Sequence, residues 1–241
     1  MTLIAGIILP KGILMISDTR LSDESTGEID TDYQRKLTSV APNCIMGTAG
    51  SESSFYTAKI LRDRLYKNSH VMDTTSLRSY ILDFYNDVNQ FSLKTHIDRH
   101  PIGSTLLADY DVENNSYTLT ARKYYVDDTD LFTYTDTGDI ELIGANLTIQ
   151  QNAKTKIQAL LSDLTVEEWN HTDLFEYIAK QCQSIFQQAA KESVGISNKL
   201  YVIYLSTLQN EPATACFLLE EDGSLHDIDR KQDGEIISYT K

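Results

Sequence analysis

Apolar residues open the chain in short unbroken runs. Thr2 to Leu9 and Ile13 to Ser17 flank Pro10-Lys11-Gly12. Runs of that length around a Pro/Gly turn predict a β-hairpin. Asp18 to Gln34 is polar and predicts a surface loop. Lys36 to Val40 and Cys44 to Gly47 predict a second strand pair around Ala41-Pro42-Asn43. Gly47-Thr48-Ala49-Gly50 then predicts a sharp turn into a helix. Phe55, Ala58, Leu61 and Leu65 follow at helical spacing, with Ser51 placed to cap them.

The next helix has the clearest pattern. Leu77, Ile81, Phe84, Val88 and Phe91 alternate steps of four and three, with Asp73 or Thr74 as cap. His100-Pro101 ends the helical region. Ile102 to Asp111 and Ser116 to Ala121 flank Glu113-Asn114-Asn115 and predict another hairpin; Asp139 to Ile143 adds a strand that Gly144 ends. Ala153, Ile157, Leu160 and Leu164 predict one further helix, and Leu174, Ile178, Cys182, Ile185 and Ala189 another. Leu200 to Leu205 and Ala213 to Leu219 read as closing strands about Gln209-Asn210-Glu211-Pro212. Strand blocks uninterrupted by helices favour antiparallel pairing. Two helix pairs, each apolar on one face, could then cover the outer faces of two stacked sheets. The expected fold class is α+β, a four-layer αββα sandwich in a single domain over 1–241. An acidic extension begins at about Glu220 and reads as a solvated face or tail.

Composition narrows the functional classes. The chain has 241 residues and a formal net charge of −14, which argues against nucleic acid and against anionic membrane surfaces. No apolar stretch reaches eighteen residues, and the first residues lack the basic region of a signal peptide. Cys44, Cys182 and Cys216 are widely spaced and odd in number, so small buried residues are expected rather than disulfides or zinc ligands. A reducing cytoplasm is the expected location. The five histidines (His70, His96, His100, His171 and His226) show no ligand pairing; His96 and His100 are read as loop residues. No metal and no cofactor is expected.

An N-terminal threonine can supply its own nucleophile and base, through its hydroxyl and its free α-amine. That amine titrates at about 7.7–8.0, and a nearby lysine lowers the value further. The lysine in turn needs a carboxylate to hold it, and a glycine-rich turn could offer N–H groups to an oxyanion. Thr2, Asp18, Lys36 and Gly47-Thr48-Ala49-Gly50 provide these parts in order. Taken singly they read otherwise: Thr2 as a β-former, Lys36 as a strand-edge lysine, Asp18-Thr19-Arg20 as a turn with a local ion pair.

The ordered set resembles the β-subunits of proteasomes and their bacterial relatives, within the N-terminal-nucleophile hydrolases. Asp18-Thr19-Arg20, Lys36-Leu37, Ala49-Gly50, His100-Pro101, Leu106-Leu107-Ala108-Asp109-Tyr110-Asp111, Gly138 and Ile143-Gly144 carry the likeness. Arg35-Lys36-Leu37 and Ser193-Val194-Gly195 also resemble the bacterial Anbu branch. The resemblance implies that Thr2 is nucleophile and, by its amine, base. It implies that Lys36 tunes the amine, Asp18 orients Lys36, and the Gly50 N–H serves the oxyanion. Arg20 would brace the loop near Asp18. Where the family has a serine after the glycine matched by Gly144, this chain has Ala145-Asn146, and Asn146 reads first as a helix cap. Where it has an aspartate and then a serine near the last helix, this chain has Glu192-Ser193. Ser193 reads equally as a helix-end residue or a supporting hydroxyl.

The resemblance further implies a bacterial threonine protease, a hydrolase acting on peptide or protein after Met1 is removed. A retained methionine would turn the essential amine into an amide. It also implies a homo-oligomer, as ring or spiral, and allows an unfoldase partner. A catalytically silent scaffold of the same fold and a small-molecule amidase are the alternatives.

Overall fold

Strand β1 (Leu3–Leu9) is buried along its whole length, and so is β2 (Gly12–Asp18). In the computed structural model, which describes residues 1–23, 26–68, 71–95, 100–124, 131–229 and 231–239, their alternate side chains enter two different cores. Leu3, Ala5, Ile7 and Leu9 face one core and Ile4 and Ile8 the other; Leu14 and Ile16 are likewise separated from Ile13 and Met15. A strand buried on both faces has no polar side, so it reads as an apolar run rather than an alternation.

These strands are central in a six-stranded antiparallel sheet of order β10-β1-β2-β11-β12-β13, with β10 at Ile140–Gly144, β11 at Leu200–Leu208, β12 at Glu211–Leu219 and β13 at Leu225–Asp227. A five-stranded antiparallel sheet runs β5-β6-β7-β8-β9: Leu37–Ala41, Cys44–Gly50, Gly103–Asp111, Ser116–Arg122 and Leu131–Tyr134. A small hairpin, β3 (Leu21–Ser22) with β4 (Ile29–Thr31), occupies part of the region expected to be loop. The molecule is therefore α+β with antiparallel sheets.

Three apolar clusters hold it together. One lies between the six-stranded sheet and helices α3 (Leu147–Ser162) and α5 (Leu174–Glu192), with Ile157, Ile178 and Phe186 at its centre; the short α4 (Val166–Trp169) adds Trp169 at its margin. The second joins the two sheets through residues such as Ile4, Met15, Leu106, Leu119 and Ile203. The third packs α1 (Glu52–Leu65) and α2 (Thr74–Thr95) on the five-stranded sheet through Leu61, Leu77, Ile81 and Leu107.

Several elements depart from the sequence reading. The buried face of α2 is centred on Leu77, Ile81, Tyr85 and Asn89, whereas Phe91 is 68% exposed. Asn89 is drawn inward because its amide serves the entry to β7: Oδ1 accepts from the Ile102 N–H at 2.6 Å. Asp73, before α2, accepts from the Ser76 N–H at 2.8 Å and caps the helix as expected. Ser51 makes no cap bond; its N–H and Oγ both donate to the Ile102 carbonyl, at 2.8 and 3.1 Å. The glycine-rich stretch is not a turn, since β6 runs on to Gly50, which lies opposite Gly103 of β7.

That crossing explains the two glycines. Gly50 and Gly103 have φ of 157° and 147°. A Cβ on Gly50 would overlap the Ile102 carbonyl oxygen, and one on Gly103 the Ala49 carbonyl oxygen. The acidic C-terminal region also does more than meet solvent. Ile228 and Ile237 are buried in the inter-sheet core, and Gln34 bridges to Ile236. The Gly103→Ala variant should lose about 1–3 kcal/mol, measured by denaturant unfolding.

Candidate active site

The register of the first hairpin builds the site. Ile4 pairs with Ser17, which sets Leu3 across from Asp18. The Leu3 N–H donates to Asp18 Oδ1 at 2.8 Å. Lys36, at the threshold of β5, brings Nζ to Asp18 Oδ2 at 2.8 Å. The Arg20 N–H donates to the same Oδ2 at 3.1 Å. Asp18 is fully buried and the Lys36 side chain is 7% exposed. One carboxylate thus links the backbone beside Thr2 to the Lys36 ammonium.

Burial disfavours the ammonium and lowers the Lys36 pKa from its ordinary 10.5, while the facing Asp18 opposes that shift by charge and hydrogen bond. Arg20 secures the loop around this pair. Its guanidinium makes two bonds to the Asp32 carboxylate, at 2.6 and 3.2 Å, and donates to the Val194 carbonyl at 3.2 Å. Thr19 reinforces it, with Oγ1 donating to the Asp32 carbonyl at 2.8 Å and its N–H donating to Ser197 Oγ at 3.3 Å. Asp32, Thr19 and Ser197 were missed in the sequence. Only the Asp18-Thr19-Arg20 triplet pointed towards any of them.

Thr2 is half-buried, its carbonyl packed so closely on Gly144 that a Cβ there would overlap it. Ser51 donates to Ile102, so Gly50 and Gly103 form the non-bonded pair of the ladder. The Gly50 N–H therefore points away from β7, towards the side where Thr48 N bonds the Lys36 carbonyl at 3.1 Å. Thr2, Lys36, Thr48 and Gly50 line one cleft of about 320 Å³. A larger cavity, about 710 Å³, lies at the other end of the hairpin beside Pro10 and Lys11. There the Lys11 ammonium is turned to the Asn170 carbonyl, at 3.0 Å, so size does not mark the chemistry.

The remaining expected residues divide. Ser193 is beside the chain start, its Oγ 3.3 Å from the Met1 sulfur, and a Cβ on Gly195 would overlap the Met1 nitrogen. Asn146 caps α3, accepting from the Ile149 N–H at 2.9 Å. Glu192 is not brought to the cleft; it lines the groove between α3 and α5 with Lys156 and Gln188. It belongs to the last turn of α5, and the chain leaves that helix at Ser193.

All three cysteines are reduced and buried, and burial pushes the Cys182 thiol up to about 12. His70 and His96 lie outside the described residues. His171 accepts from the Asp173 N–H at 3.2 Å and His226 stacks on Tyr239 with ring centres 4.2 Å apart. Among the described residues no group of three or more His, Cys, Asp and Glu side chains could hold a metal ion, and no helix is long and apolar enough to cross a membrane. No protein-family model and no curated protein matches the chain.

Removing one partner of a buried ion pair strands the other. Asp18→Ala should therefore cost about 3–5 kcal/mol at neutral pH. Because the folded-state pKa of Lys36 lies below 10.5, the stability this group contributes is full above 10.5 and is lost as pH falls through the folded value. The Asp18→Ala deficit should accordingly shrink as pH is raised towards 10.5, read from urea midpoints at successive pH values.

Proposed function

We propose that the chain is a proteasome-like threonine peptidase of the N-terminal-nucleophile class, working from Thr2 once Met1 has been removed. The observation that carries this reading is the Asp18 carboxylate, shared between the Leu3 N–H and Lys36 Nζ at a cleft that Thr2 and Gly50 also line. The order of the three apolar cores, helices on sheet, sheet on sheet and sheet on helices, supports the four-layer αββα arrangement of that class. The whole chain is read as a single such domain.

In this mechanism the Thr2 amine takes the proton of its own hydroxyl, and Oγ attacks the substrate carbonyl. The Gly50 N–H stabilises the oxyanion. The amine then passes its proton to the departing amine, leaving an acyl ester on Thr2. Water, deprotonated by the same amine, cleaves the ester and restores the hydroxyl. The Lys36 ammonium keeps the α-amine neutral near pH 7 by making a second nearby cation unfavourable. Asp18 and Arg20 act through Lys36 and are positioning residues. Ser193, at the chain start, is read as a supporting hydroxyl.

A cytoplasmic homo-oligomer, ring or spiral, would confine such a cleft and could receive substrate from an unfoldase. One observation favours a second reading, a silent scaffold: Glu192 lines the α3–α5 groove and not the cleft, so it does not supply the expected carboxylate support for the threonine.

A peptidyl epoxyketone should add one equivalent to the protein lacking Met1 and none to Thr2→Ala, as read by intact mass. Lys36→Ala should slow labelling by roughly 10²–10⁴-fold. The rate should rise with pH through an amine pKa below about 7.7, and Lys36→Ala should move that rise to higher pH. No adduct on the demethionylated protein would favour the scaffold. Sedimentation should show an assembly many subunits in size, and a monomer at working concentration would contradict the confined-peptidase reading.

A further inference from the structure

The C-terminal segment enters the cleft. The Arg35 N–H donates to the Glu235 carbonyl at 2.8 Å, and the Ile237 N–H to the Tyr33 carbonyl at 2.7 Å. Arg35 Nε holds the Gly234 carbonyl at 2.9 Å, and Gln34 and Ile236 form an antiparallel bridge. With Ile237 buried in the inter-sheet core, residues 233–237 form a strap laid antiparallel to the approach of β5. The strap presents Glu235 and Ile236 to the cleft that Thr2, Lys36 and Gly50 line.

Its chemistry there is specific. Ile236 is 50% exposed despite its size. Phe55 and Tyr56 of α1 add aromatic surface. Glu235 sits against the Tyr56 hydroxyl, whose pKa its charge raises, and 3.8 Å from Lys59 Nζ. Asp30 and Glu52 line the same space. Of the two cations in the lining, Lys36 is paired with Asp18, while Arg35 donates Nε to the Gly234 carbonyl and Nη1 to the Tyr201 hydroxyl and keeps Nη2 buried without a partner among the described residues. An apolar wall ending in carboxylates matches a side chain with an aliphatic stem and a cationic head.

We propose that the strap is a specificity element, with Glu235 and Ile236 selecting a substrate residue that carries a long basic side chain, lysine or arginine, at the bond to be cut. This rests on the peptidase reading above for the identity of the cleft. It adds to that reading a preference set by the chain's own C-terminal segment. Glu235 is 43% exposed at its side chain and its backbone bond is made by the carbonyl, so substitution leaves the strap's attachment intact.

Two epoxyketones differing only in lysine or glutamate beside the warhead provide the test. The lysyl compound should label the native protein faster. The lysyl-to-glutamyl ratio should fall on the order of tenfold in Glu235→Lys, where like charges meet, and about threefold in Glu235→Gln. A ratio that moves less than about twofold in both variants, or a native preference for glutamate, overturns the proposal.

Noncovalent binding separates this from the parent reading. N-acetyl-Ala-Ala-Lys-amide and its glutamyl counterpart are titrated into Thr2→Ala by calorimetry, with and without Glu235→Lys. A lysyl preference that Glu235→Lys abolishes, together with no covalent adduct on native protein, ends the peptidase reading and keeps the strap assignment. Adducts with an unmoved ratio do the reverse. No adduct and no binding of either peptide removes both.

Discussion

The constraint on which the rest depends is the placement of one carboxylate. Asp18 is sealed from solvent at the end of a strand inside the six-stranded sheet, and it takes three donors from three different parts of the chain: Leu3, Arg20 and Lys36. An isolated charge at that depth would be costly, so the fold must deliver all three donors together. The hairpin register supplies the first, the turn after β2 the second, and the entry to β5 the third. Anything that shifts the two sheets against each other moves Lys36 relative to Asp18. The inter-sheet core therefore holds the Lys36–Asp18 pair as well as the two sheets.

The supporting shell shows how that register is kept. Arg20 spans from the Asp32 carboxylate to the carbonyl of Val194, so the loop after β2 is tied both to the β4 region and to the segment leaving α5. Ser193 and Gly195 in that same segment contact Met1. The beginning of the chain is thus held between β10, through Gly144, and the exit from α5.

Much of this was legible in the sequence, for identifiable reasons. Strands buried on both faces leave unbroken apolar runs, which located β1, β2 and β11. Turn residues placed the hairpins. The stripe of α5 was readable because that helix lies flat on a sheet; in α3 the inner face runs through Ile149, Ala153, Ile157 and Leu161, so Leu160 and Leu164 sit at its margin. The stripe of α2 misled at Phe91, since the true inner face carries Asn89, a polar residue buried to serve the backbone of β7. The stretch Gly47-Thr48-Ala49-Gly50 suggests a turn but runs on as strand, because close strand crossing and chain reversal favour the same residue. At the site, the order of Thr2, Asp18 and Lys36 was readable, and the structure gathers them. Asp32, Ser197 and the strap were not, because long-range partners leave no spacing in the sequence. Glu192 is apt by position in the sequence alone, yet it lines the α3–α5 groove and not the cleft.

The bridge between Gln34 and Ile236 has one more effect. Beyond the last residue of β5 towards the N-terminus, the sheet would otherwise present unpaired amide and carbonyl groups, a template for pairing with another chain. The strap satisfies those groups from within. If it detached, the molecule would expose a sticky sheet margin and lose one wall of the cleft together, because both rest on the same few hydrogen bonds.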